Sequence, residues 1–117
     1  MKKYFSIEMG SRGEIEIPYI TESKDIKSVI KLRKGKLVED LKSGDMSRSE
    51  IKEYIDEWFC TEDYEYGSDV VLGEEESCVY IDMDSDMFKK WGGDVDSSDE
   101  KVWDLLNMFW NGGEEVK

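Results

Sequence analysis

The sequence predicts an α+β fold: an antiparallel sheet of about four strands in two hairpins, with helices packed on one face, in the order ββα(α)ββα. Three observations predict it. Apolar residues alternate over strand length near the N-terminus. A second pair of short apolar runs lies around residues 69–84, and two Ser-x-x-Glu boxes each open a stretch with helical spacing. The chain has 117 residues, 38% of them hydrophobic, with 14 aromatics, which suits one domain over 1–117 with an adequate core.

The elements follow in order. KYFSIEM sets Tyr4, Ser6 and Glu8 against Phe5, Ile7 and Met9, and after the SRG turn EIEIPYI sets Glu14 and Glu16 against Ile15, Ile17 and Tyr19. This reads as a hairpin whose second strand is an edge, because Pro18 has no N–H to give to a ladder. From Lys24 to Gly44, Ile26, Val29, Ile30, Leu37, Val38 and Leu41 are spaced as on a helix, with Gly35 weakening the middle; one broken helix or two short ones are expected.

Ser47 and Glu50 form a capping box ahead of Ile51, Tyr54, Ile55, Trp58 and Phe59, all at one-face spacing. DVVLG and CVYIDMD, joined by GEEES, read as a second hairpin, and SDMFKKWGGD as a turn or short helix. A box from Ser97 to Glu100 then opens a last helix that buries Val102, Leu105, Leu106 and Phe109 and stops at Gly112.

Charge is the strongest signal. The net charge is −13, divided unevenly: residues 1–48 carry +3 and residues 49–117 carry −16. Between Lys52 and Lys89 stand 13 carboxylates and no basic side chain. The same stretch holds Tyr54, Ile55, Trp58, Phe59, Val70, Val71, Leu72, Val79, Tyr80 and Ile81, too much apolar matter for a disordered tail. The carboxylates therefore belong to a folded surface. No apolar run is long enough to span a membrane and the N-terminus lacks the apolar core of a leader, so a cytoplasmic protein is expected.

Several chemistries are disfavoured. The chain has no histidine, which removes the commonest general base and the usual triads, and Cys60 and Cys78 stand apart from any zinc spacing. The run Asp82, Asp84, Asp86 is not an EF-hand loop, since its sixth and twelfth positions are Met87 and Gly93. An apolar strand ending in DxD is similar to the nucleophile strand of haloacid dehalogenase-type phosphotransferases, but those enzymes need a larger sheet, a downstream lysine and further acidic motifs. No enzyme activity, cofactor or metal is expected.

Binding remains. A surface of this charge repels nucleic acid and anionic membranes and attracts basic protein grooves. The expected partner-binding face comprises the helical row Glu50, Glu53, Asp56 and Glu57, with carboxylates about 5–6 Å apart, the segment Glu62, Asp63 and Glu65, the turn Glu74, Glu75 and Glu76, and Asp82, Asp84 and Asp86. Tyr64 and Tyr66 supply anchoring area within it. In composition, size and charge the chain is similar to phage-encoded inhibitors of restriction enzymes and CRISPR effectors, which imitate DNA or RNA, though no motif matches residue by residue. The expected function is thus a non-catalytic, monomeric or homodimeric inhibitor of a basic nucleic-acid-binding protein. One alternative is an immunity protein against a basic nuclease toxin. A further one is an adaptor whose basic stretch Lys24, Lys27, Lys31, Arg33, Lys34 and Lys36 meets an acidic partner.

Overall fold

The computed structural model describes residues 1–10, 12–16, 18–73 and 76–112. Five strands form one antiparallel sheet: β1 Lys2–Met9, β2 Tyr19–Ser23, β3 Cys60–Tyr64, β4 Gly67–Val71 and β5 Ser77–Asp82. Their order across the sheet is β2-β1-β5-β4-β3. Four helices complete the fold: α1 Ile26–Lys42, α2 Arg48–Trp58, α3 Asp86–Trp91 and α4 Asp99–Trp110. The α+β class and antiparallel sheet are as the sequence predicts, with a fifth strand and a different distribution of helices.

The helices cover both faces, because β1 and β5 are buried on both. Phe5, Ile7 and Met9 of β1 and Val79 and Ile81 of β5 pack with Met87, Phe88 and Trp91 of α3 and Val102, Leu105, Leu106 and Phe109 of α4. The intervening residues Tyr4, Cys78 and Tyr80 pack with Val70, Leu72 and Val29 of α1 in a second cluster. Ser6, also fully buried, satisfies its hydroxyl against Thr21 Oγ1 at 2.6 Å. The consecutive apolar residues 78–81 are the sequence mark of a strand covered on two sides.

Three local outcomes differ from expectation. β2 starts at Tyr19, after Pro18, with Ile15 making only an isolated bridge to Met9. Glu14–Ile17 alternates in sequence, but the ladder register pairs Ser6 with Tyr19 and Lys2 with Ser23. α1 runs unbroken through Gly35: a glycine in an exposed helix costs only about 1 kcal/mol, and the apolar side of the helix is docked on the sheet at Val29. The last helix is capped at Ser98, with no side-chain bond, while the Ser97 hydroxyl donates to the Asp94 carbonyl; the expected box does not form.

The Ser47–Glu50 box does form, with both reciprocal bonds present. It starts α2, whose Ile51 and Ile55 are buried and whose Tyr54 hydroxyl donates to the Leu72 carbonyl at 2.9 Å. This ties α2 to the end of β4. α3 ends at Gly92, whose φ of 115° admits little but glycine. Trp91 then bonds through its indole N–H to the Lys101 carbonyl at 2.8 Å, joining α3 to α4.

Candidate functional site

Of fifteen carboxylates exposed among the described residues of the second half, ten belong to the expected face: Glu50, Glu53, Asp56, Glu57, Glu62, Asp63, Glu65, Glu76, Asp84 and Asp86. Among the described residues, none of these ten lies within ion-pair distance of a basic side chain. The four ion pairs found use other acids: Lys2–Asp82, Lys3–Glu22, Arg33–Glu8 and Lys101–Asp94. Glu74 and Glu75, assigned to the same face from sequence, lie outside the described residues.

The fold arranges these acids as a band with two ends. β3 is an edge strand, held to β4 by the pairs from Cys60–Val71 to Tyr64–Gly67, and it carries Glu62 and Asp63 midway. At its Cys60 end stands α2 with the row Glu50, Glu53, Glu57, and close by Glu76, whose carbonyl accepts from the Leu72 amide. At its Tyr64 end stand Glu65 and the Asp82–Asp86 turn, since the Asp82 amide donates to the Tyr66 carbonyl. The two ends are separated by the length of β3, about 14 Å for the four steps between its five residues at about 3.4 Å each.

Within the turn the three aspartates have different occupations. Asp82 is mostly buried and bonded to the Lys2 ammonium at 3.0 Å, holding that ammonium above its ordinary pKa, and its other oxygen accepts from the Asp84 amide at 2.9 Å. Its carbonyl takes the Ser85 hydroxyl, and Ser85 in turn caps α3 through the Phe88 amide. Asp82 therefore builds the turn that presents Asp84. Asp86 occupies the first turn of α3, where the helix dipole favours a negative charge. No group of three or more His, Cys, Asp or Glu able to hold a metal is found among the described residues.

Tyr64 and Tyr66 are half-buried against the larger core, Tyr64 with its ring centroid 4.4 Å from that of Phe109. They brace β3 on α4 more than they project.

One acid escaped the sequence reading. Asp69 of β4 faces Glu62 directly across the ladder, an arrangement that is unfavourable for like charges. It accepts the Trp110 indole N–H at 3.3 Å through one oxygen, while the other is buried with no donor in bonding geometry. Burial, helped by Glu62, raises its pKa above the usual carboxylate value, with the Trp110 indole opposing. The signal available in sequence was alternation in β4: Asp69, between Ser68 and Val70, falls on the opposite face from both, and only a strand pairing shows that this face meets α4.

Comparison of the chain with protein-family models, with curated protein sequences and with solved structures gives no match in any of the three. The fold thus defines the class alone: a small α+β domain with a five-stranded antiparallel sheet and four helices.

Proposed function

We propose that this protein is a non-catalytic acidic inhibitor that occupies the basic nucleic-acid-binding groove of a partner protein, in the manner of a DNA or RNA mimic. The observation that carries this reading is the set of ten exposed carboxylates in the expected face, none of which, among the described residues, lies within ion-pair distance of a basic side chain. Such a surface is held at a cost in self-repulsion, and a basic groove relieves that cost on docking. The partner's lysines and arginines exchange their phosphate contacts for carboxylates, and association is steered from a distance. The edge strand gives the band rigidity, so its charges are not diluted by side-chain and backbone freedom together.

The test is capture of basic proteins from host lysate, followed by displacement with duplex DNA and by charge reversal. Glu53→Lys, Glu57→Lys and Glu62→Lys together are expected to weaken the captured partner's binding at least about a hundredfold, with an unchanged circular dichroism spectrum. Raising salt from about 50 to 200 mM is expected to weaken the wild-type complex by at least about tenfold. A complex indifferent to both, or one that DNA does not displace, overturns the reading.

A further inference from the structure

The other edge of the sheet has a different surface. Of the four large apolar residues that are exposed among the described residues, three gather there: Tyr19 and Ile20 on β2 and Leu32 on α1, the last 66% exposed. β2 is unpaired on its outer side. The direction of its free groups follows from the ladder: the Lys3 carbonyl accepts from Met83 on the β5 side, and the Glu8 carbonyl accepts from Glu16 on the β2 side. Backbone groups alternate along a strand, so Tyr19, Thr21 and Ser23 bond to β1, and Ile20 and Glu22 turn their N–H and C=O outward. Pro18 shares that outward phase, where its missing N–H breaks no pairing.

Beside this edge runs a groove of about 150 Å³ between β2 and α1, lined by Tyr19, Val29, Leu32, Arg33, Lys36 and Tyr80. It is smaller than the roughly 300–1,000 Å³ of small-molecule sites and suits a single aliphatic side chain. Its polar complement is cationic. Lys36 has no ion partner among the described residues, and the Nε–H of Arg33, which is paired with Glu8 at 3.6 Å, is buried without an acceptor. Between Lys24 and Lys36 there are six basic residues and one acid, Asp25.

We propose that the β2 edge and its groove receive an extended, acidic and apolar segment of a partner protein. The segment adds a sixth strand by bonding Ile20 and Glu22, sets one aliphatic side chain between Leu32 and Tyr19, and directs a carboxylate at Lys36 and Arg33. Strand addition of this kind takes affinity from backbone bonds and specificity from alternate side chains. A second copy is a poor occupant: two-fold pairing through β2 lays one basic α1 beside another and joins two chains of net −13 each. Repulsion between an acidic partner and the β3 part of the acidic band is weak here, although Glu76 lines a neighbouring pocket with Arg33. The two sheet edges are four strand spacings apart, about 19 Å, roughly twice the screening length at physiological salt.

The test uses the full chain and two synthetic peptides of about ten residues, one alternating glutamate and valine, the other lysine and valine, followed by amide shifts in ¹⁵N-labelled protein. The glutamate peptide is expected to move the Ile20, Glu22 and Leu32 amides, and Leu32→Asp or Lys36→Glu, both at exposed positions, to weaken it at least about tenfold. Ile20→Pro, which removes an outward N–H only, is expected to do the same. Equal binding of the lysine peptide, absence of any shift at β2, or binding indifferent to all three substitutions overturns the proposal. So does a dimer seen by equilibrium sedimentation that Leu32→Asp dissociates, which assigns the edge to a second copy.

Discussion

The two edges of the sheet solve the same problem in opposite ways. An unpaired strand invites further pairing, and β3 meets that liability with charge: Glu62 and Asp63 are exposed on it and Glu65 follows it. β2 follows Pro18 and is short, yet leaves Tyr19 exposed beside cationic α1 and Ile20 exposed on the opposite face. The difference shows how an uneven sequence becomes an uneven surface. The order β2-β1-β5-β4-β3 puts the N-terminal hairpin at one side and the β3–β4 hairpin at the other. The exposed acids of β3 and the exposed apolar residues of β2 are thereby carried to opposite edges of one sheet, while α1 lies across its face with Lys34 over the Phe59 ring.

The edges also differ in what backs them, and truncating the support separates the two. Phe109, fully buried, lies under Tyr64 of the acidic edge, and Val29 of α1 lies beside the β2 groove. Phe109→Ala is expected to cost about 4 kcal/mol and Val29→Ala about 2 kcal/mol, from the volumes removed. Urea unfolding measures both; equal losses would mean that the two sides share their packing instead of standing on separate clusters.

A backbone test of the acidic edge comes next in size. Gly67 opens β4 opposite Ile81, and a Cβ there would run into the Tyr80 carbonyl. The position needs glycine for close approach, not for an unusual φ. Gly67→Ala is expected to cost about 3 kcal/mol, as overpacking against backbone does, and to loosen the β3–β4 hairpin first. Faster amide exchange at Glu62 and Asp69, which face each other in the β3–β4 ladder, with β1 protected would locate the damage; uniform loosening would deny the edge its own identity.

How much of this was legible in the sequence depends on what holds each element. β1, β5, α2 and α4 are held by apolar side chains at regular spacing, and the Ser47–Glu50 box is a local bond pattern, so all were readable. β3 was not: CTEDY offers its backbone to β4 and has only Tyr64 to bury. The double cover of the sheet was readable in principle from the unbroken run Cys78–Ile81. For the site, the outward row Glu50, Glu53, Glu57 follows from helical periodicity alone. The pairing of Asp82 with Lys2, 80 residues away, and the facing of Asp69 by Glu62 follow from strand register, which no local pattern states.

The smallest expected effect bears on that last pair, two carboxylates facing each other across the β3–β4 ladder. Asp69 has its pKa raised in the folded protein, mainly by burial. A carboxylate with a raised folded pKa is held more readily in its protonated form by the native state. Its ionisation therefore opposes folding above the folded pKa, and the opposition is gone below the ordinary, unfolded value. Asp69→Asn keeps an oxygen for the Trp110 indole and removes the charge facing Glu62. At neutral pH it is expected to stabilise the protein by about 1 kcal/mol or less, since the group is in part exposed and screened. The gain should shrink as pH falls toward the unfolded carboxylate range, and thermal melts of both proteins across that range measure it. If Asp69→Asn destabilises at neutral pH, the buried oxygen without a donor is finding one after all, and the Glu62–Asp69 pair is a fixed structural contact, not a place where the acidic edge stores repulsion for a cationic partner to relieve.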